Sequence, residues 1–137
     1  MLGKLFVALA FAVSGSCFAQ SNVGEVMKIG GAKLTKEEMV QLHAGGVTVK
    51  GALANGTPYS QLNKVDGTIG GTAGNSGQFT LSGTWKIDDA GKFCQDVAAS
   101  GGLRFNNCVF IWKAESRYFA SADEAPGTAA RERQFVK

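Results

Sequence analysis

The sequence has few of the residues that build catalytic and metal sites. It contains one histidine, His43, and three cysteines among 137 residues. A serine or cysteine nucleophile needs a base beside it, and a structural zinc site needs four nitrogen or sulfur ligands. We therefore predict no nucleophilic site, no metal site and no cofactor. His43 is predicted to lie on the surface at a helix C-terminus, where it interacts with the helix dipole.

The sequence also lacks a large excess of positive or negative charge. The chain has 14 Lys and Arg against 11 Asp and Glu, a net charge of +3. Nucleic-acid binding requires a basic patch or stripe, whereas these charges are scattered along the chain. We therefore predict no nucleic-acid partner.

The hydrophobic run Leu5 to Val13 is too short for a transmembrane helix. It has nine residues, and a helix needs about 20 to span a bilayer. Lys4 precedes it and small residues follow it, which is the pattern of an export signal. We predict cleavage after Ala19, with lipid attachment at Cys17 as the less favoured alternative.

The remaining residues, 20–137, are predicted to form a single domain that is ordered over about 34–120. The expected location is the periplasm or the extracellular space. Two cysteines remain there, Cys94 and Cys108, and both are equally distant from Gly101 in a predicted turn. Residues that face each other in one hairpin have this symmetry. We predict a disulfide between them, as is typical of oxidising compartments.

Strand patterns dominate this domain. Phe79 to Ile87 alternates apolar and polar residues, as a half-buried strand does. One short helix is predicted from a capping box formed by Thr35 and Glu38. About six strands joined by short turns follow, so the fold class is mainly β: an antiparallel meander forming a curled sheet or a small barrel. We favour the barrel because an open sheet exposes its edges.

Three segments have weaker patterns. Residues 20–31 are predicted to form an ordered arm or a short strand, and residues 131–137 a charged tail that docks by Phe135 or remains loose. Between Tyr59 and Val65 the apolar residues are out of phase by one position, which predicts a β-bulge or a shift of the assigned register.

The run from Gly67 to Gly77 consists mostly of turn formers and lacks the Lys-Ser or Lys-Thr of a phosphate-binding loop. We predict a flexible loop that acts as a lid or contact loop, with a weak strand around Ile69 as a further possibility. Its candidate residues are Gly67, Gly70, Gly71, Gly74 and Gly77.

Aromatic residues cluster in the second half of the chain. In the segment Cys108 to Lys113 apolar side chains occupy both faces of a predicted strand, so both faces must be covered. The cover is the helix, a neighbouring molecule or a bound apolar ligand. The candidate contacts with a ligand or partner are Trp85, Phe110, Trp112 and Tyr118.

The segments Gly83 to Cys94 and Asn107 to Trp112, with Tyr118 after them, resemble a group of small exported proteobacterial proteins of unknown function. The shared features are a Gly-x-Trp strand and a Gly-x-Phe-Cys hairpin with a second cysteine. This resemblance implies export and a β-rich fold. Gly83-Thr84-Trp85 is also similar to the Gly-x-Trp of lipocalin-like and avidin-like barrels, and it implies no ligand residues here.

Three functions are compatible with these features. The first, which the sequence favours, is a non-catalytic binding or inhibitor module whose partner is an envelope protein. The second is a carrier of a small apolar ligand inside a barrel, lined by Trp85, Phe110 and Trp112. The third is a small hydrolase that uses paired carboxylates at 37–38, 88–89 and 123–124. An interior cavity of several hundred Å³ would favour the carrier.

Overall fold

The computed structural model describes residues 20–137, so the predicted export signal lies outside the described residues. The described part contains two helices and ten strands. The helices are α1 (Val23–Lys28) and α2 (Lys36–His43). The strands are β1 (Gln20–Asn22), β2 (Ala32–Lys33), β3 (Val47–Ala52), β4 (Pro58–Asn63), β5 (Thr68–Ala73), β6 (Phe79–Ile87), β7 (Phe93–Ala99), β8 (Arg104–Ala114), β9 (Arg117–Ser121) and β10 (Ala129–Val136).

Strands β3 to β10 form a closed antiparallel barrel. Each of the first seven pairs with the next strand along the chain. Phe135 of β10 then faces Val49 of β3, which closes the barrel and removes its edges. The predicted barrel is therefore confirmed, but it has eight strands, whereas the sequence predicted about six. Of the two alternatives for residues 131–137, the docked one is confirmed, because Phe135 packs on the interior cluster; most of the segment belongs to β10.

Two short strands and α1 cover the outside of the barrel. β1 pairs with β10 and β2 pairs with β8. Val23 and Val26 of α1 are fully buried in an outer cluster with Trp112 and Phe119. The ordered region therefore begins before residue 34. Between residues 20 and 137, neither helix has the length and apolar character needed to cross a membrane.

The predicted loop from Gly67 to Gly77 is mostly a strand. Residues 68–73 form β5, which pairs with β4 and β6, whereas Gly67 and the turn from Gly74 to Gly77 lie outside it. Glycine is required in this strand at Gly71. Its φ is +155°, and a Cβ there would collide with the carbonyl oxygen of Ser60 on β4. The strand expected around Ile69 is thus present, and the loop is shorter than predicted because glycine in a strand also allows close approach of a neighbouring backbone.

Strand β4 has a regular register with both neighbours, so the predicted bulge is wrong. Polar residues Gln61 and Asn63 point into the barrel and are buried, while Leu62 points outwards and is 42% exposed. The apolar residues of β4 therefore seemed out of phase because polar residues occupy its inward positions.

Helix α2 closes one end of the barrel, which we call the lower end. Its N-terminus has the predicted capping box, with Thr35 Oγ1 accepting from Glu38 N and Glu38 Oε1 accepting from Thr35 N. Met39 is fully buried in the main core cluster, which Leu34 also joins. Lys137 Nζ donates to the carbonyl oxygens of Gln41 and Ala44 at 3.1 and 2.9 Å. The end of the chain thus holds the C-terminus of the helix.

The predicted disulfide is confirmed. Cys94 and Cys108 face each other in the β7–β8 hairpin and are bonded. Their neighbours Phe93 and Val109 belong to the interior cluster, so the cysteines lie on the outer wall of the barrel. An intramolecular disulfide is typical of oxidising, extracytoplasmic compartments.

Candidate functional site

The barrel contains a cavity at the end opposite to α2, which we call the upper end. Its volume is about 460 Å³, within the usual range for small-molecule sites. The β3–β4 turn forms part of its rim through Leu53, and Leu103 contributes from the β7–β8 connection. Deeper apolar walls come from Leu81, Val97 and Phe105.

Strand alternation places these side chains inside. Inward residues of a barrel strand recur at every second position, as Gln95 and Val97 do on β7 and Phe105 and Asn107 do on β8. Ala73 on β5 also lines the cavity. Small residues such as Ala73 and Val97 leave open the space that large side chains fill at the lower end.

Polar amides form one part of the cavity wall. Gln61 Nε2 donates to Gln95 Oε1 across the barrel at 3.0 Å and to Asn63 Oδ1 at 2.9 Å. Asn107 faces Gln95 in the strand register and also lines the cavity. The cavity is therefore amphipathic, with an apolar wall and a row of amides that runs from buried Gln61 through half-buried Gln95 to exposed Asn107.

Two arginines of β10 complete the lining. Arg131 faces Ala120 and Arg133 faces Tyr118, and both partners belong to or pack on the interior cluster. Arg131 Nε is buried and has no hydrogen-bond partner. Within residues 20–137, neither guanidinium takes part in a side-chain hydrogen bond or an ion pair. The cavity is therefore lined by two partly buried positive charges that no acidic side chain of residues 20–137 pairs with.

The acidic side chains nearest the cavity form ion pairs with other arginines. Glu132 borders the cavity, but its Oε2 accepts from Arg117 Nε. Asp96 accepts two hydrogen bonds from Arg104 on the outer wall, at 2.8 and 2.6 Å. The Arg104 hydrogen bond holds the pKa of Asp96 below its ordinary value. These acids are thus unavailable to the interior arginines.

The lower end is filled by an aromatic plug around His43. Its ring centroid lies 5.0 Å from that of Trp85, 5.3 Å from Phe93 and 6.0 Å from Phe135. Nδ1 is 2.8 Å from the Met39 carbonyl oxygen, so it carries the proton in the neutral ring. The predicted surface position of His43 is therefore wrong, since only 3% of it is exposed. Burial lowers the pKa of His43, and the positive charges of Lys137 and Arg133 lower it further.

None of the four aromatic candidates lines the upper cavity. Trp85 belongs to the lower plug and donates from Nε1 to the Lys64 carbonyl oxygen. Phe110 lies near the ammonium groups of Lys33 and Lys92. The remaining two are Trp112, which packs in the outer cluster, and Tyr118, which packs on Phe135. The cover predicted for the outer face of β8 is thus part of this chain.

The paired carboxylates do not meet in a cleft of the described structure. Glu38 caps α2, and Asp89 pairs with Lys36 on the surface. Asp123 accepts hydrogen bonds from Ala125 N and Thr128 Oγ1. The Lys36 and Thr128 hydrogen bonds lower the pKa values of Asp89 and Asp123, respectively. A catalytic acid requires a raised pKa, so these shifts do not favour the hydrolase.

One cluster has the composition of a metal site. Asp88 lies beside Cys94 and Cys108, with its Oδ2 3.8 Å from Cys94 Sγ. Metal binding requires thiolates, and both sulfur atoms are already joined in the disulfide. Asp88 Oδ1 instead accepts from the backbone N–H groups of Ala90 and Lys92. The cluster therefore stabilises the β6–β7 turn.

Comparison of the chain with protein-family models, curated proteins and solved structures finds no match. The structure itself must therefore supply any argument about function.

Sequence reasoning missed the arginines and the buried amides. One signal for them was the alternation Arg131, Arg133, Phe135, which resembles the alternation of Gln61 and Asn63 before Val65. Such period-2 patterns identify a strand, but polar residues in them are ordinarily assigned to the solvent face.

Proposed function

We propose that this protein is a periplasmic or secreted carrier that binds a small, partly apolar molecule in the upper-end cavity. This is the second of the functions that the sequence allows, with a different set of lining residues. The supporting observation is the cavity of about 460 Å³ in a closed barrel. Burial of apolar ligand surface against Leu81, Val97 and Phe105 contributes affinity, and the amides fix its orientation.

The protein-binding module has less support. Such modules bind through exposed aromatic or apolar patches. The large hydrophobic residues exposed among residues 20–137 include no aromatic side chain. They are Met27, Ile29, Val40, Leu62, Val65, Leu103 and Val136.

The carrier is tested with N-phenyl-1-naphthylamine, a neutral dye whose fluorescence rises in apolar sites. We expect saturable binding at one site per chain. Val97→Phe places a ring in the cavity and should weaken binding by about tenfold or more, because the volume available for apolar contact is reduced. Ala98→Phe is the matched control, since Ala98 is the next residue on β7 and is exposed on the outer wall.

Circular dichroism and thermal unfolding verify that both variants are folded. Weaker dye binding by Val97→Phe with unchanged binding by Ala98→Phe supports the carrier. No saturable binding by the wild-type protein, or equal binding by all three proteins, contradicts it.

A further inference from the structure

The upper-end cavity combines apolar walls with positive charge that has no counter-ion within the described chain. Arg131 Nε is buried and makes no hydrogen bond. Arg131 as a whole is partly buried, so one nitrogen of its guanidinium is withdrawn from water without a compensating hydrogen bond, which is unfavourable. Arg133, two residues further along β10, lines the same cavity and adds a second positive charge.

The neighbouring acidic residue does not neutralise this positive charge. Glu132 lies between the two arginines in sequence, but strand alternation turns its carboxylate to Arg117 on the outer face. The other ion pairs of residues 20–137 join Lys33 to Glu124, Lys36 to Asp89 and Arg104 to Asp96. All of these pairs include groups exposed to solvent. Their charges stay hydrated, so they differ from the partly enclosed arginines of the cavity.

We infer that the ligand of this cavity is an amphipathic organic anion, whose negatively charged head group binds Arg131 with Arg133 beside it. This inference rests on the proposed carrier function. A carboxylate, sulfonate or phosphate presents oxygen atoms that match the planar donor set of a guanidinium. The apolar body of the ligand packs on Leu81, Val97 and Phe105, and Gln95 and Asn107 supply further polar contacts.

A matched pair of dyes tests the charge requirement. 8-Anilinonaphthalene-1-sulfonate has the aryl frame of N-phenyl-1-naphthylamine with a sulfonate added. We expect the wild-type protein to bind the sulfonate about tenfold or more tightly than the neutral dye, because charge-assisted hydrogen bonds are stronger than neutral contacts. Arg131→Gln should remove this preference while the affinity for the neutral dye is kept.

Arg104→Gln is the control, because Arg104 is an arginine of the outer wall paired with Asp96. It should leave the preference unchanged, as should the Ala98→Phe control. If Arg131→Gln does not fold, the comparison of the two dyes on the wild-type protein still tests whether the cavity prefers an anion. The head-group classes are compared by displacing the bound sulfonate dye with decanoate, decyl phosphate and 1-decanol; the two anions should displace it at lower concentration than the alcohol.

The results separate the two proposals. Equal affinity of the wild-type protein for both dyes, or an unchanged preference in Arg131→Gln, overturns the anion inference and leaves the carrier intact. Loss of both dyes from Val97→Phe together with a preference that depends on Arg131 supports both. If the wild-type protein binds neither dye, the carrier proposal and the anion inference are both overturned.

Discussion

The two ends of the barrel are built from the same eight strands and are filled in opposite ways. The lower end is closed by α2, and the rings of His43, Trp85 and Phe93 pack against one another there. The upper end has no helix, and its interior carries amides and two arginines around a cavity. The two ends thus differ in packing: rings fill the lower end, whereas the upper end leaves a cavity beside polar and charged side chains.

The largest expected effect comes from truncating the lower plug. Met39→Ala should lower the free energy of unfolding by about 2–5 kcal/mol, because it removes a fully buried side chain and leaves a cavity. Leu103→Ala at the upper rim should change it by no more than about 0.5 kcal/mol, since Leu103 is 55% exposed. Urea unfolding followed by circular dichroism measures both. Equal losses would contradict the contrast between the two ends.

The disulfide lies on the wall that joins the two ends. Replacing both Cys94 and Cys108 by Ser should lower the free energy of unfolding by about 3 kcal/mol, because the unfolded chain is no longer constrained. Folded molecules should still bind the dyes, since the cysteines lie outside the cavity. Urea unfolding with and without reductant measures the effect. An unchanged midpoint would show that the bond contributes nothing to stability.

A smaller, pH-dependent effect should report on the lower plug alone. Burial lowers the pKa of His43, so the unfolded chain takes up a proton near pH 6.5 that the folded chain resists. The free energy of unfolding should therefore decrease as the pH falls below about 6.5, by at most about 1.4 kcal/mol per pH unit. This loss continues until the lowered pKa of the folded state is reached.

The control for this effect is His43→Phe, which keeps a ring in the plug and should remove the pH dependence between about pH 6.5 and 5. Asp66 and Asp96 have lowered pKa values. Their contribution is present above the ordinary carboxyl pKa of about 3.9 and is lost below it, in a separate window. Stability that is the same at pH 7 and pH 5 in the wild-type protein would contradict the burial of His43.

The local features of the fold could be predicted from the sequence. The capping box of Thr35 and Glu38 is a contact between near neighbours, and the pairing of Cys94 with Cys108 follows from symmetry within one hairpin. Both are determined by a short stretch of chain. The closing strand β10 could not be predicted in this way, because its polar and charged residues become interior only after seven other strands have curved into a barrel.

The candidate site could be predicted less well than the fold. The aromatics Trp85, Phe110 and Trp112 attracted attention because large rings often line ligand sites, yet one fills the plug and two pack on the outer wall. The cavity depends on the small inward side chains of Ala73 and Val97, which leave space between the larger rings of Tyr59 and Phe105 that pair with them. An empty volume has no sequence motif, since it is produced by several distant strands together.

The seam between β3 and β10 has a consequence for the order of folding. Lys50 faces Gln134 across it, so the contact joins residues from opposite ends of the domain. Such distant contacts form slowly, because the intervening chain must be ordered first. Until β10 arrives, the earlier strands can form only an open sheet with two unsatisfied edges. The edges of this sheet are therefore protected only once β10 has paired, and the same strand supplies Phe135 to the plug and Arg131 to the cavity.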